Sequence, residues 1–155
     1  MFAAHLSAAI GGELNGKVVA ISDGDTITLL DSTNTQWKIR LSGIDAPEKS
    51  QGFGTMSKKH LSACAYDKNV RVLWEKRDRY QRVIGKVIAG DVDCNLQQIK
   101  NGMAWHYKKY AKDQALADRD VYAAAEAIAK SHREGLWIDS DPMPPWEYRH
   151  RKKGG

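Results

Sequence analysis

Three acids and an arginine cluster at the ends of short, β-patterned stretches. Asp23 and Asp25 stand in Asp23-Gly24-Asp25-Thr26; Arg40 and Asp45 stand in Arg40-Leu41-Ser42-Gly43-Ile44-Asp45-Ala46-Pro47-Glu48, which Glu48 closes. Carboxylates grouped in this way suit a hard, oxygen-seeking cation such as Ca²⁺ or Mg²⁺. A further Glu suits general-base work on water, and a planar guanidinium matches two phosphate oxygens at once. A second such arginine, Arg82, ends the charged run Asp78-Arg79-Tyr80-Gln81-Arg82. A phosphodiester repels nucleophiles through its own negative charge, so its hydrolysis needs a cation, fixed positive donors and an activated water. The set therefore reads as metal-assisted phosphodiester hydrolysis. Each residue also has a plain structural reading. Asp beside Gly builds turns, Glu after Pro suits the first turn of a helix, and strand arginines are ordinarily solvated.

The elements that must carry these residues follow from periodicity. Residues 17–22 are Val/Ile-rich, 26–30 alternate, and 36–41 alternate most clearly, with Trp37, Ile39 and Leu41 on the inner side and Arg40 pointing outward with Lys38. A Gly-containing loop at 49–54 leads to a helix capped by Thr55, with Leu61, Cys64 and Ala65 inside. Val70, Val72 and Trp74 mark a fourth strand and residues 83–89 a fifth, joined by the charged hairpin 75–82. From Asp93 the period becomes helical, with Leu96, Ile99 and Met103 on one face and Asn101-Gly102 as its stop. Residues 105–110 form an aromatic, basic loop. Asp113 is expected to cap a last helix whose alanines pack inward with Leu116, Val121 and Ile128. Five short strands with a helix between the third and fourth predict an α+β fold, a five-stranded OB-type Greek-key β-barrel with three packed α-helices.

At 155 residues the chain is large enough to bury roughly two-thirds of the surface it exposes unfolded, which one domain achieves. The expected division is an N-terminal extension at 1–14, one domain at 15–140, and a Pro-rich, basic tail at 141–155. The stretch of that tail from Arg149 to Lys153 is expected to be a solvated charge run adding salt-sensitive attraction. The net charge of +5 favours a polyanionic partner. No run approaches the ~20 apolar residues of a membrane-spanning helix, so no membrane partner is expected. The first twelve residues are small and apolar but lack the basic start of an export signal; they suit a trimmed signal or an appended segment. The five histidines are scattered outside any zinc-ligand spacing, which argues against a zinc enzyme. Cys64 and Cys94 fit either two buried thiols or one disulfide, the latter only in an oxidising compartment.

The Asp-Gly-Asp-Thr turn, the Arg ahead of Asp-Ala-Pro-Glu and the Asp-Arg-Tyr-Gln-Arg run occur in the order seen in the staphylococcal (micrococcal) nuclease family, which this chain resembles from about residue 17 to 137. The resemblance implies a Ca²⁺-dependent, sugar-nonspecific nuclease hydrolysing DNA and RNA at the 5′ P–O bond to leave 3′-phosphate ends. It implies Asp25, Asp45 and the Ala46 carbonyl as metal ligands, where the family often has Thr in place of Ala46, with Asp23 and Thr26 supporting them. Arg40 and Arg82 become phosphate clamps, and Glu48 takes the proton from water or positions it. Arg79, Tyr80, Tyr107 and Tyr110 receive the substrate, with unpaired strands preferred because stacking accepts any base. Gln81 stands where the family often has Gly. The resemblance also sets Cys64 near Cys94 and makes a monomer, secreted or periplasmic, the expectation. Two rivals remain: a noncatalytic OB-type module binding nucleic acid or protein, and a structural domain using its acids to bind Ca²⁺ for rigidity.

Overall fold

The computed structural model describes residues 11–154. Most of the expected extension at 1–14 lies outside the described residues. Its end is already strand, because β1 (Gly12–Asp23) begins at Gly12 and pairs Gly12, Glu13 and Leu14 with Trp74, Leu73 and Val72.

β1 supplies an edge to two neighbours. Its first half pairs antiparallel with β5 (Asn69–Arg77) and its second half with β2 (Thr26–Leu30), Lys17 being shared between them. Register shifts at Val18/Ala20 and Ile21/Asp23 bend the strand, as extra residues on one side of a ladder do. β2 pairs with β3 (Gln36–Leu41), β5 with β6 (Val83–Ala89), and β3 closes parallel onto β6 through Ile39↔Val83, Arg40↔Ile84 and Leu41↔Gly85. β1, β2, β3, β5 and β6 thus form the expected closed five-stranded barrel. Val18, Ile27, Leu29, Ile39, Leu41, Val72, Val83 and Val87 fill it.

A separate two-stranded pairing matters for the site. β4 (Ile44–Asp45) pairs antiparallel with β8 (Trp105–His106), setting Asp45 opposite Trp105. The short β7 (Val92–Asp93) extends β6.

Among the described residues four α-helices surround the barrel: α1 (Gly54–Ala65), α2 (Cys94–Lys100), α3 (Leu116–Ser131) and α4 (Pro145–Gly154). Cys64 at the end of α1 and Cys94 at the start of α2 form a disulfide with Cα atoms 6.0 Å apart. Two buried amides fasten α2 inward. Asn95 accepts the Val87 N–H and donates to the Ser42 and Gly85 carbonyls, while Gln98 donates to the carbonyls of Gly24 and Ser57.

Four local expectations need correction. α1 starts at Gly54 with left-handed Phe53 before it and no side-chain cap, so Thr55 is inside the helix rather than capping it. Asp113 ends a 3-10 turn (Lys108–Asp113) and pairs with Lys76 instead of capping α3. α3 buries Tyr122, Ala125, Glu126 and Ala129, leaving Leu116, Val121 and Ile128 exposed. Alanines on every side of α3 make its apolar stripe ambiguous. Two polar anchors decide its rotation: the Tyr122 hydroxyl donates to Asp93, and Glu126 accepts the His106 N–H. Lastly, the stretch expected as a Pro-rich, basic tail contains α4, whose first residue Pro145 has the fixed φ and missing N–H that suit a helix start.

Candidate active site

The first turn of the site is built by its own carboxylate. Asp23 Oδ1 accepts the Asp25 N–H at 3.0 Å, closing the Asp23-Gly24-Asp25 bend. Gly24 packs against Ser57 and Ala46 so closely that a Cβ there would collide with the Ser57 hydroxyl, which itself donates to the Met103 carbonyl. The turn is thereby locked between α1 and α2.

From this turn Asp25 points inward. Its Oδ1 accepts the Thr26 hydroxyl at 3.0 Å and its Oδ2 accepts the Ala46 N–H at 2.8 Å, so the β1–β2 turn holds the segment after β4 directly. Arg40, expected to point into solvent, is folded back along this seam with only 14% of its side chain exposed. Its Nη1 donates to the carbonyls of Leu41 and Ile44 at 2.8 and 2.9 Å, while its Nη2 lies 3.3 Å from Asp45 and 3.4 Å from Asp25. The seam explains the reversal: the Leu41 and Ile44 carbonyls flank the Ser42-Gly43 turn between β3 and β4, and Arg40 Nη1 donates to both.

Asp45 is fully buried and Glu48 half-buried at the rim. Both are held by Arg149, expected instead in a solvated charge run. Arg149 Nη1 and Nη2 reach the two Asp45 oxygens at 3.0 and 2.8 Å, and Nη1 reaches Glu48 Oε1 at 2.7 Å. Four carboxyl groups (Asp23, Asp25, Asp45, Glu48) thus share two guanidiniums.

The electrostatics reflect that shortfall. Burial, then the neighbouring charge of Asp25, pushes the Asp23 carboxyl up to about 7. Burial works against Asp25 as well, but Arg40 and the hydrogen bonds from Asp23, Ala46 and Thr26 hold it below the usual carboxylate range. Burial raises Asp45 against the opposing pull of Arg149 and Arg40, and the hydrogen bond to Asp45 holds Arg149 charged more firmly than a free guanidinium. Arg149 forks onto both Asp45 oxygens and Arg40 reaches Oδ1, contacts that favour the ionised carboxylate.

The second arginine sits on the β5–β6 hairpin. Asp78 organises that turn, accepting the backbone N–H groups of Tyr80 and Arg82 and the Arg82 Nε–H at 2.7 Å. Asp78 is partly desolvated, yet Arg82 holds its carboxyl low. Gln81 adopts φ 65°, the left-handed conformation for which Gly is the usual choice. Arg79 and Arg82 flank the exposed Tyr80 ring at 5.0 and 5.5 Å. No hydrogen bond or ion pair among the described residues joins this group to the acid pocket.

Tyr107 and Tyr110 follow β8, and the Tyr107 N–H donates to the Gly43 carbonyl beside the pocket. Tyr107 lies flat against Trp146 of α4, with centroids 5.4 Å apart and planes 6° apart, and meets Tyr110 edge-on.

The sequence-expected residues thus gather in two groups. Asp23, Asp25, Thr26, Arg40, Asp45, Ala46 and Glu48 come together, with Tyr107 nearby; Arg79, Tyr80 and Arg82 form the hairpin group. Sequence reasoning missed Ser57, Asn95, Gln98, Trp146 and Arg149. Trp146 and Arg149 carried a usable signal, because a Trp and an Arg three apart after Pro-Pro fit one face of a helix better than a solvated tail. Among the described residues no three Asp, Glu, His or Cys side chains converge in metal-holding geometry. The expected ligand set is two carboxylates and a backbone carbonyl. A surface groove of about 530 Å³, lined by Asn15, Lys17, Asp31 and Arg71 among others, shares no residue with either group.

Residues 38–139 match the family described as Staphylococcal nuclease homologue. The chain is 45% identical over 137 residues to an "Uncharacterized endonuclease" of Haemophilus influenzae, covering 88% of this chain and 74% of the relative. It is 40% identical over 141 residues to an "Uncharacterized endonuclease" of Escherichia coli, covering 90% and 88%. It is 35% identical over 150 residues to a "Micrococcal nuclease" of Shigella flexneri, covering 91% and 83%.

Proposed function

Because this chain belongs to the staphylococcal nuclease homologue family, we propose that it is a metal-dependent nuclease that hydrolyses phosphodiester bonds of DNA and RNA, with Ca²⁺ as its cofactor. Cleavage at the 5′ P–O bond leaves 3′-phosphate ends. The observation that carries this reading is the convergence of Asp25, Asp45, Glu48 and Arg40 on one pocket at the barrel's edge.

The donor set fits a hard cation, since Asp25, Asp45 and the Ala46 carbonyl offer oxygen alone. When bound there, the cation supplies Lewis acidity to a phosphoryl oxygen and positive charge against the charge that builds during attack. Asp23 fixes the backbone of Asp25, and Thr26 fixes its carboxylate through the hydroxyl hydrogen bond. Glu48, at the pocket rim, accepts the proton of the attacking water. Arg40 spends Nη1 on two carbonyls and keeps positive charge beside the acids. Arg82 is gripped by Asp78 at Nε, and among the described residues neither terminal nitrogen has a hydrogen-bond partner, so both can fork onto a phosphate.

Tyr80, Tyr107, Tyr110 and Arg79 receive bases and flanking phosphates. Stacking is worth roughly 1–3 kcal/mol per base and ignores base identity, so unpaired strands are favoured and sequence preference is weak. The Cys64–Cys94 bond suits an oxidising compartment, secreted or periplasmic.

The test is incubation with single-stranded DNA, duplex DNA and RNA in Ca²⁺, Mg²⁺ or chelator, with the chemistry of the product ends read directly. Cleavage that needs Ca²⁺ and leaves 3′-phosphates is expected. Oligonucleotide binding without cleavage in any divalent cation would replace this reading with the noncatalytic binding module.

A further inference from the structure

We propose that α4 is a built-in occupant of this site, an autoinhibitory strap in which Arg149 stands in for the cation and Trp146 for a nucleobase. The proposal rests on the reading of the acid pocket as a cation and phosphodiester site.

Three features of that site are covered at once. Arg149 takes both oxygens of Asp45, so an incoming cation meets a guanidinium already forked on its ligand. The same side chain holds Oε1 of Glu48, the group assigned to accept the proton of water. One helical turn earlier, Trp146 lies parallel on Tyr107, the arrangement a stacked base would adopt. Arg149 is separated in sequence from Asp45 by 104 positions and from Glu48 by 101, so α4 arrives as an independent segment rather than as part of the pocket's own turns.

The attachment is a latch, not a core. Pro145 is the one buried residue of α4. The rest of its hold is polar or stacked: Gln51 donates to the Met143 carbonyl at 2.7 Å, the Ser50 and Tyr148 hydroxyls meet at 2.7 Å, and Trp146 meets the Trp105 edge at 5.4 Å. A ten-residue helix is marginal alone and depends on its docking contacts. Segments held this way are the ones that open at low free-energy cost. A cation competing for Asp45 therefore has to break one fork, after which the described residues hold the strap by the Glu48 pair, the aromatic contacts of Trp146, the buried Pro145 and the hydrogen bonds made by Gln51, Tyr148 and Lys152.

The closing experiment compares the full-length wild type with Arg149→Gln, Arg149→Lys and Trp146→Ala. It measures Ca²⁺ binding by calorimetry, binding of a fluorescent oligothymidylate in chelator by anisotropy, and amide exchange of residues 145–154. If the strap occupies the site, Arg149→Gln and Trp146→Ala each tighten Ca²⁺ binding by about tenfold, the factor by which a mostly closed state depresses apparent affinity. Arg149→Lys, which keeps the charge and loses the fork, follows in the same direction. Trp146→Ala also tightens the oligonucleotide, and Ca²⁺ deprotects the amides of α4 in the wild type while barrel amides stay unchanged. Equal affinities in all four proteins with α4 still protected would overturn the strap and leave the cation reading standing. Weaker oligonucleotide binding by Arg149→Gln would also overturn it, making Arg149 a phosphate ligand. Absence of Ca²⁺ binding in every protein, with a tighter oligonucleotide in Trp146→Ala, would remove the cation reading and with it Arg149's part as the cation's stand-in, leaving Trp146 alone as an occupant and overturning the strap as proposed.

Discussion

The Asp25 carboxylate accepts the Ala46 N–H at 2.8 Å, tying together two turns that lie 21 residues apart in sequence. One side chain therefore does two jobs, holding the pocket's backbone and presenting an oxygen to whatever cation enters. The two separate by substitution. Asp25→Asn keeps an acceptor for the amide and is expected to cost about 1 kcal/mol of stability while weakening Ca²⁺ binding more than about tenfold. Asp25→Ala leaves the amide unpaired and Arg40 short of a partner, costing about 3 kcal/mol. Urea unfolding beside calorimetric Ca²⁺ titration checks both; an Asn variant that binds Ca²⁺ like the wild type would remove Asp25 from the ligand set.

Gly24 is expected to tolerate nothing larger. A methyl group there meets the Ser57 hydroxyl and the Ala46 side chain, both buried. Gly24→Ala should destabilise by about 1–3 kcal/mol and, by displacing the turn that carries Asp25, cut cleavage further than the stability loss alone accounts for. Ser57→Ala in the same background opens space and should restore part of the stability, as read from thermal unfolding of the single and double variants.

Loss of the disulfide should be felt in stability rather than in chemistry. Cys64 and Cys94 are 30 residues apart and join α1 to α2, whose Gln98 holds the Gly24 carbonyl. Removing a cross-link of that span is expected to cost about 3–4 kcal/mol on the chain-entropy account. The Cys64→Ala/Cys94→Ala double variant, or the reduced wild type, should show a lower urea midpoint with cleavage at low temperature largely retained.

Acid sensitivity has a local component at Asp31. Its carboxylate accepts hydrogen bonds from the Trp37 ring, the Thr33 hydroxyl and the backbone amides of Thr33 and Thr35, which lower it from 3.8 to about 2. A folded-state value below the unfolded one means that the contribution is complete above about 3.8 and fades as the pH falls towards 2. The difference in unfolding midpoint between wild type and Asp31→Ala should therefore be constant from neutral pH down to about 4 and shrink below it. A gap that stays constant down to pH 2 would contradict this.

Much of the barrel was legible because its strands alternate and its turns carry Asp, Gly and Asn. Residues 26–30, 36–41 and 83–89 match their strands residue for residue. The acid pocket was legible because its expected members lie on two turns and on the ends of the strands beside them. Arg40 was misread in direction, since alternation says which side of the strand a residue leaves from but not that two turn carbonyls will draw a long side chain back. α3 was misread because its rotation is set by Tyr122 and Glu126, whose partners Asp93 and His106 lie 29 and 20 positions away. Arg149 escaped notice for the same reason. Charge in a basic terminal stretch looks solvated until the fold brings buried acids to meet it.

The most direct test of the central claim is single-turnover cleavage of an end-labelled single-stranded oligonucleotide in Ca²⁺ by the wild type, Glu48→Gln and Arg82→Ala. The account predicts losses of about 10²–10⁴ for Glu48→Gln and about 10²–10³ for Arg82→Ala, with Ca²⁺ still bound by both. Wild-type rates in both variants would place the chemistry elsewhere and contradict the account.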